Sequence, residues 1–117
     1  FSYYLNLSDN EGFGLTPLEA MGHGLVVITA KIPSIMEYIN DATPFLVELT
    51  GNITYEQFSF ELIEHFEYDY KQMSEYIIKA LTMNNNEYEN WSKKAFETAK
   101  KYNPQIYKKF LEFTINQ

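Results

Sequence analysis

Apolar and polar positions alternate at the start of the chain, with Tyr3, Leu5 and Leu7 set against Tyr4, Asn6 and Ser8, which is the period of a strand. Leu25-Val26-Val27-Ile28 is a continuous apolar run rich in β-branched residues, as expected of a strand buried on both faces. Between them Leu18 and Met21, with Leu15, supply the apolar face of a short helix. Its start is well specified. Thr16 is a good N-cap, Pro17 falls at the first helical position, and Glu19 completes a capping box. Gly22 and Gly24 end the helix, Gly24 being the better candidate for a left-handed position. Strand, glycine-containing loop, helix and strand make a parallel crossover unit, and such units bind anions where loop meets helix.

Further along, Ser34 to Ile39 reads as a turn or two of helix ended by Asn40-Asp41, and Pro44 to Glu48 as a third strand. Residues 51–69 carry two patterns. Tyr55, Phe58, Leu62, Ile63 and Phe66 form a helical stripe behind a Thr54–Gln57 cap, whereas Gly51-Asn52 between apolar runs signals a hairpin. The helix is the preferred reading. Tyr70 to Met83 then predicts a helix with Met73, Tyr76, Ile77, Ala80 and Leu81 on one face, broken by Asn84-Asn85-Asn86. Glu87 to Tyr102 predicts another, with Trp91, Ala95, Ala99 and Tyr102 inward, and Pro104 opens a last helix bearing Ile106, Tyr107, Phe110 and Phe113.

The stretch Glu11 to Ile28, E-G-F-G-L-T-P-L-E-A-M-x-x-G-x-x-V-I, resembles the C-terminal, donor-binding domain of retaining GT-B glycosyltransferases of the family 4 type. The hallmark is two glutamates with seven residues between them, here Glu11 and Glu19, and the match runs from Tyr3 to Ile39. The resemblance implies an α/β fold, the C-terminal part of a Rossmann-like GT-B domain. About three parallel strands, adjacent in chain order, would be flanked by helices and followed by a helical tail. The chain would form a single domain, with residues 1–50 as the donor-site core, 51–69 an insertion and 70–117 the C-terminal helices.

By the same resemblance Glu11 contacts hydroxyls of the transferred sugar and is the catalytic candidate, while Gly12, Phe13, Gly14, Leu15 and Thr16 face the sugar and diphosphate. Glu19 would hold the ribose diol of the nucleotide. A carboxylate offers acceptors to two neighbouring hydroxyls, and charge-assisted bonds are the stronger kind. The residues alone leave blander readings open: Glu19 as a cap residue, Glu11 as a solvated loop acid, and Gly12 and Gly14 as turn residues. A dinucleotide fingerprint is disfavoured because Pro17 stands where a third glycine belongs. Past Ala30 the pattern departs from the family, with Pro33 and Ser34 in place of glycines before Glu37, which weakens donor contacts from that turn.

Composition sharpens this picture. Of 117 residues 45% are hydrophobic and 17% aromatic, enough for one compact core. Phe1 enters a strand almost at once, without an initiator Met, which predicts an excised piece lacking the acceptor-binding domain and the upstream basic pair that neutralises the donor phosphates in the family. The net charge of −7 is uneven: through Tyr70 there is one lysine against eleven acids, and from Lys71 eight lysines against five acids, with no arginine anywhere. Diphosphate binding in so acidic a front half rests on backbone amides and the helix dipole. Nucleic acid is disfavoured as a partner. No cysteine is present, which excludes disulfides and thiolate metal sites and fits a cytoplasmic origin.

His23 and His65 are far apart in sequence and share no evident acidic ligand partner, and GT-B enzymes do not need the metal that Glu67-Tyr68-Asp69 faintly suggests, so no metal or other cofactor is expected. Lysine pairs at 93/94, 100/101 and 108/109 read first as a solvated face and alternatively as contact with an anionic membrane or acceptor. An unpaired first-strand edge predicts a homodimer. The implied activity is transfer of a sugar from a nucleotide-sugar to a saccharide or lipid-linked acceptor, with retention, in polysaccharide biosynthesis. A non-catalytic binding module and a nucleotide-sugar epimerase of the same fold are the rivals.

Overall fold

A computed structural model of the chain describes residues 2–7 and 16–102, the side chain of Phe58 apart. Glu11, Gly12, Phe13, Gly14, Leu15 and the helix expected from Pro104 lie outside the described residues. The elements follow in the order β1 (Tyr3–Asn6), α1 (Pro17–Gly22), β2 (Val26–Ala30), α2 (Pro33–Ile39) and β3 (Phe45–Val47), then β4 (Leu49–Phe58), β5 (Glu61–Tyr68), α3 (Tyr70–Leu81) and α4 (Asn85–Tyr102).

β1, β2 and β3 make a three-stranded parallel sheet in chain order, as the crossover pattern predicts. Tyr3 lies opposite Val26 and Asn6 opposite Thr29, while Ile28 to Ala30 run beside Phe45 to Val47. Every residue of β2 is buried, so its unbroken apolar run is explained by its central place with helices on the sheet. Two buried hydroxyls stitch this core. The Thr43 hydroxyl donates to the Val27 carbonyl at 2.5 Å and accepts from the Phe45 amide at 3.2 Å, and Thr29 Oγ1 accepts from Asn6 Nδ2 at 3.1 Å. Buried polar groups satisfied in this way cost little.

Met21, Ile35, Ile39, Met73, Ala80, Ala95 and Ala99 complete the core. Ala95 and Ala99 are one turn apart on α4, and their small side chains let it approach α1 and β2 closely. Asp69 caps α3, its Oδ1 accepting from the Gln72 amide at 3.0 Å. Asn84 caps α4 through the Glu87 amide at 2.9 Å and donates to Glu87 Oε1 at 3.2 Å, so the asparagine run both breaks one helix and starts the next. Two positions expected inward point out. Leu81, the last residue of α3, is 75% exposed, and Tyr102, the last of α4, is 52% exposed.

The helix preferred for 51–69 is not formed. β4 and β5 pair antiparallel from Phe58–Glu61 back to Leu49–Tyr68. The reversal is at Ser59-Phe60, Ser59 taking a φ of +59°, and not at Gly51-Asn52. Gly51, at φ +95°, instead lies inside β4 where the register slips between Leu49 and Ile53, the signature of a bulge. Helical spacing of Tyr55, Phe58, Leu62, Ile63 and Phe66 loses to strand alternation as β4 and β5 pair and satisfy each other's backbone groups. Ile53, Thr54, Tyr55 and Ile63 also favour a pleated ribbon.

Candidate functional site

In a parallel sheet the strands' carboxyl ends form the edge where ligands are held. Three connections leave that edge here: residues 7–16 after β1, Lys31-Ile32 after β2, and Glu48 after β3. The first carries the glycine loop and ends at α1. Thr16 is extended, with φ −79° and ψ 160°, and its hydroxyl oxygen accepts from the Glu19 amide at 3.2 Å. The same hydroxyl lies 3.4 Å from Glu19 Oε1, so the glutamate side chain folds back over the cap. Pro17 occupies the first turn and the Ala20 amide reaches the Thr16 carbonyl at 3.0 Å. Thr16 as N-cap and Pro17 in the first turn are therefore as read, while Glu19 meets the Thr16 hydroxyl with its carboxylate as well as its amide. Glu19 is half-buried on the first turn of α1, immediately past the glycine loop.

The other end of α1 is equally specified. Gly24 takes φ +76°, and its carbonyl accepts from Ser92 Oγ of α4 at 2.6 Å, tying the crossover helix to the C-terminal one. This positions α1, and with it Glu19, against the rest of the domain.

After β2, the Lys31 amide bonds to the Val47 carbonyl at 2.9 Å, and its ammonium pairs with Glu48 at the end of β3. The Glu48 amide in turn donates to Gln72 Oε1 of α3 at 2.6 Å, and its carbonyl accepts from the Asp69 amide at 3.0 Å. Lys31, the one lysine before Lys71, is thus held at the ligand edge by a carboxylate. Sequence reading did not pair it, since Glu48 is distant along the chain.

α2 begins with Ile32 as its N-cap, which makes no side-chain cap bond, and with Pro33 in the first turn. Ser34 and Glu37 are exposed. Pro33 and Ser34 do not open a glycine-like turn; they form the start of a helix and one wall of a cleft of about 410 Å³ whose other wall is β5. Its floor and sides are Ile32, Pro33, Ser34, Leu62, Ile63 and Phe66, and its charged residues are Glu61 and Glu64. The hairpin was the second of two readings, with its turn placed at Gly51-Asn52, and this cleft was not foreseen. The alternation of Ile53, Tyr55 and Leu62, Glu64, Phe66 was the available signal, masked by their helical spacing.

Among the described residues, no group of three metal-ligating side chains comes together, and no helix is long and apolar enough to cross a membrane. What the edge offers is hydroxyl and carboxylate oxygens, one tethered ammonium, and an apolar cleft beside them.

Similarity to known proteins agrees with this arrangement. The chain is 31% identical over 100 residues to the candidate glycosyltransferase ORF313 of Acidianus filamentous virus 1 (isolate United States/Yellowstone), an alignment covering 86% of this chain and 32% of that protein. The chain thus spans about a third of the length of that curated relative. No solved structure matches. The model of the family described as glycosyl transferases group 1 matches residues 2–98, across the sheet, α1 and most of α4, and the chain belongs to that family.

Proposed function

We propose that this chain is the donor-binding part of a retaining, family 4-type glycosyltransferase that moves a hexosyl group from a nucleotide-sugar to a hydroxyl of a saccharide or lipid-linked acceptor. In this reading the bond from the anomeric carbon to the diphosphate breaks as one to the acceptor oxygen forms, and the acceptor proton passes to the leaving diphosphate. Glu11 orients the sugar and is the catalytic candidate. The backbone of Gly12, Phe13, Gly14, Leu15 and Thr16 faces the sugar and the leaving diphosphate, where preorganised donors stabilise developing charge. Glu19 accepts from the ribose diol. The acceptor-binding half would come from the rest of the polypeptide, so this part alone is catalytically silent. No metal is required, and the setting is cytoplasmic, at or near the inner face of a membrane.

The observation that carries the reading is the coincidence of family membership with Glu19 on the capped first turn of α1, eight residues after Glu11 in the sequence. Membership supports the transferase, and the glutamate spacing supports the donor. Glu19→Gln in the full-length protein tests it, because glutamine is allowed at a capping-box position. Thermal stability is expected to stay within about 0.5 kcal/mol of the parent. Affinity for UDP, GDP or ADP, whichever the parent binds, falls about tenfold or more by calorimetry. Unchanged nucleotide affinity would falsify the ribose role.

One observation favours a second reading, a non-catalytic module of the same fold. Pro33 and Ser34 start α2 where the resemblance expects glycines. A parent protein that binds none of the three nucleotides would support that module.

A further inference from the structure

We propose that the cleft between the start of α2 and strand β5 is a binding site for an uncharged glycan, supplied by the β4–β5 hairpin. That the glycan is the acceptor rests on the glycosyltransferase reading; that the cleft holds a glycan stands by itself.

The hairpin leaves the sheet at the carboxyl end of β3 and returns at Asp69, so it rises from the edge where ligands of such sheets are held. Its pairing places Ile53 opposite Phe66, Tyr55 opposite Glu64 and Gln57 opposite Leu62. Paired residues share a face, and so do residues two apart along each strand. One face therefore interleaves Ile53, Tyr55, Leu62 and Phe66 with Gln57 and Glu64.

Three of its apolar members are open to water, with Ile53 44%, Tyr55 58% and Leu62 67% exposed, while Phe66 is half-buried against the core. A two-stranded ribbon with such a face is marginal by itself, and its exposed apolar side chains, Leu62 among the cleft lining, suit a surface with a ligand.

The chemistry of the lining selects the ligand. Ile32, Pro33, Leu62 and Phe66 supply flat apolar contact, and Glu61, Glu64 and Ser34 supply hydrogen-bonding oxygens. Among the described residues no basic one lines the cleft, and the neighbouring Lys31 ammonium is held by Glu48. Carboxylates without a cation repel phosphate and anionic lipid but accept from hydroxyl groups. Apolar faces ringed by hydroxyls describe a pyranose, and the cleft volume of about 410 Å³ suits a small ligand or a short saccharide.

The test uses the full-length protein on an array of neutral and anionic oligosaccharides, beside vesicles of anionic phospholipid. Retention on neutral glycans is expected, cut about tenfold by Leu62→Ser and by Glu64→Gln, with nucleotide affinity unchanged. Both side chains are exposed, so both variants should fold, which circular dichroism checks. Binding only to anionic glycans or vesicles, binding to no neutral glycan, or equal retention by the variants each overturns the site. Nucleotide titration of the parent is read separately: its failure would sink the donor assignment and leave the glycan cleft in place.

Discussion

Tyr3 illustrates how one side chain joins distant parts of the chain. Its hydroxyl donates to the Ala80 carbonyl near the end of α3 at 2.5 Å, and its ring meets that of Tyr88 on α4 edge-on, with centroids 5.5 Å apart. Burial, and then the neighbouring Tyr88, push its pKa above the ordinary tyrosine value. The folded state therefore holds this proton more tightly than the unfolded chain does. The associated stability is fully present below about pH 10 and is lost as pH rises through the folded value. Tyr3→Phe is expected to lower stability at neutral pH by about 1 kcal/mol. It should also flatten the loss of stability between neutral and strongly alkaline pH, measured by urea denaturation at several pH values. An alkaline limb as steep in Tyr3→Phe as in the parent would show that Tyr3 plays no part in it. At the same scale Thr16 and Glu19 were legible, because a capping box is written in consecutive residues. The Lys31–Glu48 pair was not, because β2 and β3 must lie side by side before those residues meet.

At the scale of elements, the two glycines with positive φ differ in what surrounds them. A Cβ on Gly24 would stand 3.1 Å from Ser92 Oγ, while one on Gly51 would meet nothing within 4 Å. Gly24→Ala is therefore expected to cost about 1–2 kcal/mol in backbone strain, with a further penalty from the α1–α4 contact. Gly51→Ala should cost only the backbone term. Denaturant midpoints of the two variants check this, and equal losses would mean that the junction yields freely. Helices α3 and α4 were read nearly to their ends, since their apolar faces and the asparagine run between them are local signals. The ribbon at 49–68 was misread because Tyr55, Leu62 and Phe66 satisfy helical and strand periods alike.

For the whole molecule, β1 ends the order β1-β2-β3, and Leu5 and Leu7 are 42% and 55% exposed. We propose that this edge pairs with a second copy in the isolated chain. The net charge of −7 opposes such association, so the dimer should strengthen as salt screens the repulsion. Light scattering of the 117-residue chain at rising ionic strength is expected to show a growing dimer fraction. A monomer at high concentration in high salt would exclude the edge pairing. The lysines of α4 bear on a different partner. Lys93, Lys94, Lys100 and Lys101 are exposed, and Lys94 sits 4.5 Å from the centre of the Trp91 ring. Contact of this face with an anionic membrane remains our proposal, and pelleting with anionic against neutral liposomes distinguishes it from a merely solvated face.

Sequence alone determined the parallel crossover unit, its caps and its family, because each of those is encoded in residues a few positions apart whose side chains act on their own backbone. Tertiary structure decided what 49–68 becomes, which carboxylate holds Lys31, and where an apolar cleft opens beside the ligand edge. Those outcomes depend on which surfaces lie alongside. An ambiguous period becomes a strand or a helix only when the surrounding molecule supplies, or withholds, something for it to pack against.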